Sequence, residues 1–253
     1  MPLMPGVEPF RADGAPVAAL ISHGFTGTPQ GMRPLAQSLA DAGLTVRLPR
    51  LPGHGTTWQE LQQTRWQDWY AVLEHELTEV RKHCEQVVVI GLSMGGALVT
   101  RLAQEHGPRI GGLVLINPAF TITDPRMRIL PLLQHVLPTV PGIVSDIKRT
   151  DGEPEIGYER VPLKALYSQT QLWKTVVADL PEVNQPVLLF RSRIDHVVPA
   201  ESSALFLSRV GSTEVTEMVL TDSYHVATLD NDAPKIERET LRFIERVTGW
   251  SAS

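Results

Sequence analysis

Only one cysteine, Cys84, occurs in the 253 residues, so no disulfide can form within the chain and a cross-linked scaffold is excluded. The lone thiol fits a reducing compartment, and no motif around it marks it as a nucleophile. Positive charge is in deficit. The 23 Lys and Arg against 28 Asp and Glu leave a net charge of −5, with a pI near 5.9 and no basic stripe for a phosphate backbone or an anionic lipid. Nucleic acid is therefore excluded as a partner. No apolar run approaches the roughly 18 residues that a membrane-spanning helix requires. The opening Met1-Pro2-Leu3-Met4-Pro5-Gly6 has no basic region followed by an apolar core, so no secretory signal is expected and the reading is cytoplasmic. Internal repeats and low-complexity tracts are missing too. What remains is the composition of an ordinary globular protein, 42% hydrophobic and 20% charged, long enough to bury a full core.

The chain is organised around Gly91-Leu92-Ser93-Met94-Gly95. The apolar run Val87-Val88-Val89-Ile90 precedes it and Gly96-Ala97-Leu98 follows, which reads as strand, sharp turn, helix. In a G-x-S-x-G elbow the glycines leave room for a strained central residue, whose hydroxyl is held up for attack. Ser93 is thus the candidate nucleophile. The alternative, a serine in an ordinary strand-to-helix turn, does not need the glycines.

Upstream, the strand Val17 to Ser22 runs into His23-Gly24-Phe25-Thr26-Gly27, a glycine-bearing turn that leaves free N–H groups at the carboxyl end of a sheet. This is the expected oxyanion loop, the N–H of Phe25 acting with that of Met94, the residue after the nucleophile. His23 is read as a brace for the loop and His54, in Arg50-Leu51-Pro52-Gly53-His54-Gly55, as structural. Helices are expected over Met32 to Ala42, from Trp66 through Val80 and from Met94 to about Glu105, with strands at Leu44 to Pro49 and Gly112 to Ile116. Strand alternating with helix implies a parallel sheet covered on both faces.

From Asn117-Pro118 this rhythm breaks until Pro186-Val187-Leu188-Leu189-Phe190 restores it. Residues 1–118 and 181–253 are read as one core and 119–180 as an inserted cap with a return helix, Leu163 to Ala178. Prolines 131, 138 and 141 interrupt the apolar residues of the insertion, so short helices or loops are expected, forming a lid that exposes apolar surface. Such a surface would touch lipid aggregates or pair two copies of the chain. The alternative is a helical excursion with no substrate contact.

Asp195 follows the strand Val187 to Phe190, and His225 follows the alternating strand Thr213 to Leu220. Among the eight histidines only His225 completes the order Ser, acid, His with each residue beyond its own strand. The acid fixes the imidazole tautomer and stabilises the imidazolium, while the imidazole takes the serine proton. His196 has no acid behind it in the chain pattern and is read as local. A final amphipathic helix spans Pro234 to Val247.

With this set assembled, the chain resembles the bacterial monoacylglycerol lipase and carboxylesterase group of the α/β-hydrolase superfamily nearly end to end. The resemblance rests on His23-Gly24-Phe25-Thr26-Gly27-Thr28-Pro29, Met32-Arg33-Pro34-Leu35-Ala36, Gly53-His54-Gly55-Thr56, the elbow, Asp195-His196-Val197-Val198-Pro199 and Ser223-Tyr224-His225-Val226-Ala227-Thr228-Leu229-Asp230. It implies an α/β fold with a small cap, and hydrolysis of monoacylglycerols to glycerol and fatty acid without metal or organic cofactor. It further implies that Ile143 lines the acyl route and that Glu155, or its neighbour Glu153, hydrogen-bonds the glycerol. A broad carboxylesterase with the same residues is the alternative; a thioesterase or a cofactor-free perhydrolase would suit the same scaffold. A non-catalytic receptor on this fold would not need an intact nucleophile, acid and base.

Overall fold

The structure, a computed structural model, describes residues 2–252. The β-branched and leucine-rich runs form strands β1 (Phe10–Ala12), β2 (Ala15–Ser22), β3 (Leu44–Leu48), β4 (Gln86–Leu92) and β5 (Gly112–Ile116). Beyond them lie β6 (Thr139–Pro141), β7 (Arg160–Pro162), β8 (Val187–Ser192) and β9 (Val215–Leu220). Seven of them make one sheet in the order β1-β3-β2-β4-β5-β8-β9, parallel throughout except for the β1–β3 pair.

Helices α1 (Arg33–Asp41), α2 (Trp58–Leu61), α3 (Trp66–Val80), α4 (Met94–His106), α5 (Leu130–Leu133), α6 (Leu163–Ala178), α7 (Ala200–Arg209) and α8 (Ala233–Thr248) complete the elements used below. Burial explains why β4 is apolar at every position of Val87–Ile90. Side chains alternate across a strand. Val87 and Val89 enter a core with Trp69 and Leu73 of α3, Leu98 and Leu102 of α4, Leu172 of α6 and Phe206 of α7. Val88 and Ile90 enter a second core on the opposite face, with Leu35 and Leu39 of α1 and Ile236, Phe243 and Ile244 of α8. A strand covered on both faces reads as a continuous apolar run.

Several pieces depart from the sequence expectation. The antiparallel edge strand β1 and the single-turn helix α2 were not anticipated, because three or four residues carry no measurable period. In the segment 119–180, β6 and β7 pair as an antiparallel ribbon, with Thr139 opposite Pro162 and Pro141 opposite Arg160. Prolines are tolerated there because the ribbon has only two strands, each with an outer edge that needs no donor. The return helix α6 has the expected bounds. It packs its buried face, Ala165, Leu172 and Val176, into the first core.

Candidate active site

Strand β4 lies between β2 and β5, so the turn after it opens at the middle of the sheet's carboxyl edge. At that turn Ser93 takes φ 55° and ψ −119°, a strained conformation for a residue with a side chain. Close packing enforces it. A Cβ on Gly91 would lie 2.3 Å from the carbonyl oxygen of Gly95, and one on Gly95 would lie 2.4 Å from that of Ser22. Ser93 N–H donates to the Ile116 carbonyl at 3.0 Å, and the Ser93 carbonyl accepts from Ala119 at 3.0 Å. The residue is 7% exposed and caps α4, whose first N–H is that of Met94.

The loop after β2 abuts this turn, for a Cβ on Gly24 would be 3.4 Å from the Ser93 Cβ and 3.9 Å from its Oγ. His23 holds the loop. Its Nδ1 lies 3.0 Å from the Gly24 carbonyl oxygen and its Nε2 accepts from Leu51 N–H at 3.2 Å, which assigns the Nδ1–H tautomer. In a trans peptide the C=O and N–H point in opposite directions. Fixing the Gly24 carbonyl toward His23 therefore turns the Phe25 N–H to the opposite side of that peptide. Burial lowers the His23 pKa to about 4, so the brace stays neutral. His54 packs edge-on against His23, Phe25 and Trp69, with ring centroids 5.0, 6.4 and 5.6 Å away. Its Nδ1 meets the Pro52 carbonyl at 3.1 Å, and its Nε2 has no hydrogen-bond partner among the described residues.

Asp195 and His225 come together as the sequence order requires. Asp195 Oδ2 is 2.8 Å from His225 Nδ1, and its Oδ1 accepts from the N–H groups of Val197 and Val198 at 2.8 and 2.7 Å. Both side chains are under a tenth exposed. Burial is the largest influence on His225 and pushes its pKa down, but the charge and hydrogen bond of Asp195, with the charges of Glu155 and Asp146, raise it above the ordinary value. The imidazole leaves Nε2 as its free face. Among the described residues no hydrogen bond joins that nitrogen to Ser93, and contacts of this kind tighten only when substrate binds.

Two residues that the sequence reading missed hold this arrangement. Asn117 sits at the end of β5 with φ 42°; its Nδ2 donates to the His225 carbonyl at 2.8 Å and to Ser192 Oγ at 2.9 Å, while its Oδ1 accepts from Ser192 N–H. The Ile116–Asn117 junction thus ties the serine turn to the histidine loop. Asp146, from the inserted segment, lies 2.8 Å from His196 Nδ1. That corrects the view of His196 as lacking an acid: its partner is 50 residues away in the chain, in a stretch with no period to align it. An Asn before Pro at a strand end was the only available signal for Asn117, and Asp146 had none.

The expected substrate contacts separate. Glu155 lies against the loop after β2, where a Cβ on Gly27 would be 2.5 Å from its Oε1. Burial raises its pKa against the opposing pulls of His225 and the Ser145 main chain. Glu153 is exposed and lines a different hollow, with Arg149, Thr228 and Asp230. Of the two acids, Glu155 is the one that faces the site. Ile143 is 56% exposed and belongs to neither core. Phe25 and Met94 both pack on the first core.

The family described as serine aminopeptidase, S33, matches residues 15–232. A thermostable monoacylglycerol lipase from Bacillus sp. strain H-257 is 41% identical over 249 residues, 98% of each chain. A carboxylesterase from Bacillus subtilis is 25% identical over 95% of this chain and 97% of its own. Among solved structures, one described under the metagenome-derived lipolytic enzymes LipS and LipT superposes with a TM-score of 0.93 at 39% identity, covering 97% of this chain and all of that one.

Proposed function

The chain belongs to the serine aminopeptidase S33 family of α/β-hydrolases, and on that footing we propose that it is a serine hydrolase that cleaves monoacylglycerols to glycerol and fatty acid. The observation that carries the reading is its near-complete alignment with the Bacillus monoacylglycerol lipase. The hydrogen-bonded His225–Asp195 pair supports it, as does the strained elbow conformation of Ser93.

In the proposed cycle Ser93 Oγ attacks the ester carbonyl while His225 Nε2 takes its proton, Asp195 holding the other ring nitrogen and stabilising the imidazolium. The N–H groups of Phe25 and Met94 receive the charge that develops on the carbonyl oxygen. His225 then protonates the departing glycerol, leaving the acyl group on Ser93 Oγ; it next takes a proton from the water that attacks the acyl carbon and returns that proton to Ser93 Oγ as the fatty acid leaves. Glu155 accepts hydrogen bonds from the glycerol hydroxyls, and Ile143 flanks the acyl chain. The cycle as written uses only these groups and requires no cofactor.

Residues 119–180 serve as the cap. Ile129, Leu132, Val136 and Leu137, all 45% exposed or more, form its apolar outer face. Lipid aggregates dock there in this reading, and a second copy of the chain would compete for the same surface. Among the described residues no helix is long and apolar enough to cross a membrane; we place the enzyme in the cytoplasm.

A broad carboxylesterase is the second reading, favoured by the Bacillus subtilis relative. The deciding experiment is steady-state hydrolysis of a monoacylglycerol series beside di- and triacylglycerols and short nitrophenyl esters, with Ser93→Ala as the blank. Selective turnover of monoacylglycerols is expected. Turnover of short esters alone would favour the carboxylesterase, and no turnover at all would sink both readings in favour of a non-catalytic receptor.

A further inference from the structure

The segment 119–180 also reaches the loops that carry Asp195 and His225. A tight turn, closed by Ile147 N–H on the Ser145 carbonyl at 2.8 Å, aims the Asp146 side chain inward, and the Ile147 side chain packs on the second core beside it. The Asp146 carboxylate is only 9% exposed. Its Oδ2 accepts from the main-chain N–H of His225 at 3.2 Å and from that of His196 at 3.1 Å, while Oδ1 meets His196 Nδ1 at 2.8 Å. The Asp146 carbonyl accepts from Val226 N–H at 3.0 Å. One carboxylate therefore joins the loop that carries Asp195 to the loop that carries His225. His196 is held in turn by an edge-on contact with Tyr224, with ring centroids 4.6 Å apart.

We propose that Asp146, supplied by the cap, is a positioning residue for the hydrolysis, setting the place of the His225 main chain and, through its charge, the proton affinity of the imidazole. The inference rests on the roles given above to Ser93, Asp195 and His225. The His225 main chain has two side-chain anchors of opposite sense: Asn117 donates to its carbonyl and Asp146 accepts from its N–H. Loss of either anchor frees the loop to shift, and a displacement of about 1 Å at a catalytic base costs on the order of a hundredfold in rate. Three carboxylates act on His225, those of Asp195, Glu155 and Asp146. Asp146 is the one without a place in the chemistry of the proposed cycle. The His196 ring, donating from Nδ1, draws off part of its charge.

The test compares wild type, Asp146→Asn and His196→Ala on a soluble nitrophenyl ester, measuring kcat and KM against pH, with active sites counted by a serine-directed phosphonate and Tm recorded for each. Asp146→Asn is expected to lower kcat per active site about tenfold, to leave KM within about twofold, and to move the acid limb of kcat/KM to lower pH. His196→Ala is expected to move that limb the other way, because the carboxylate then acts undiluted on His225. An acid limb that stays put in Asp146→Asn, with or without a loss of Tm, would reduce Asp146 to a structural strut and overturn the proposal. Should that variant not fold, an unmoved limb in His196→Ala overturns it equally. Ser93→Ala serves as the control on the reading beneath: if it hydrolyses the ester as well as wild type does, the fault lies in the catalytic assignment rather than in Asp146.

Discussion

A methyl group on Gly27 would lie 2.5 Å from Oε1 of Glu155, so the loop after β2 and the acid of the inserted segment meet with no room for one more carbon. Gly27→Ala would displace only the far end of a flexible side chain. Its stability should stay within about 1 kcal/mol of wild type. With the carboxylate pushed off the position proposed for glycerol, KM for monoacylglycerols should rise about tenfold, the equivalent of roughly 1.4 kcal/mol, while short nitrophenyl esters should be nearly unaffected. Parallel changes in both substrates would remove Glu155 from the glycerol site.

Gly95→Ala is the contrasting case. Its Cβ would meet the main-chain oxygens of Ser22 and His23 at 2.4 and 2.7 Å, and Ser22 cannot move without disturbing the end of the β2–β4 ladder. A loss of more than about 3 kcal/mol is expected in urea unfolding. A variant of near-native stability would mean that the elbow is looser than its packing.

Activity should fall as pH falls. His225 must be neutral to accept the serine proton, and its pKa is raised above the ordinary 6.5 because its three neighbouring carboxylates outweigh burial. The acid limb of kcat/KM is therefore expected above pH 6.5, and Asp195→Asn should lower kcat about 10⁴-fold. A wild-type limb at or below 6.5 would contradict the environment described.

Stability should respond to acid through a different histidine. The His23 pKa falls from 6.5 in the unfolded chain to about 4 in the fold, so its contribution is whole above pH 6.5 and is lost as pH drops toward 4. The loss amounts to about 3 kcal/mol. His54, also depressed by burial, acts in the same sense. His225, whose pKa is raised, acts in the opposite one: it contributes stability below pH 6.5 that is lost as pH rises through its folded value. Urea midpoints measured from about pH 7 to pH 4 should decline in wild type and decline less steeply in His23→Gln; parallel slopes would count against His23.

Leu132 and Val136 are 75% and 77% exposed, and burying such side chains in lipid gives roughly 1.5–3 kcal/mol each. Replacing both by serine should weaken adsorption to a dispersed lipid by at least about tenfold and leave soluble-ester kinetics alone. Unchanged adsorption in a sedimentation assay would assign this face to something other than lipid.

The sequence was informative wherever period and punctuation coincide. Val87–Ile90 followed by glycines around Ser93 located the elbow, and the bounds of β5 and α6 came out as read. Strand ends also located Asp195 and His225, because each follows an apolar run in order. Phe10–Ala12 was too short to show alternation. Asn117 and Asp146 escaped for another reason: their effect lies in hydrogen bonds to main-chain groups distant in sequence, and a main-chain group looks the same at every residue. The choice between Glu153 and Glu155 likewise waited on the path of a loop with no regular structure.

The hydrogen bonds between the inserted segment and the base bear on how such enzymes can be recombined. Lys148 and Arg149 donate their N–H groups to Asp230, Asp146 holds the histidine loop, and Tyr158 and Ile156 are fastened to Thr26 and Gln30. A chimera that exchanges 119–162 for a relative's segment would therefore inherit a new loop geometry along with a new apolar face. Transplanting only 121–137, which lies outside these attachments, should change chain-length preference while leaving the His225 loop with its own anchors.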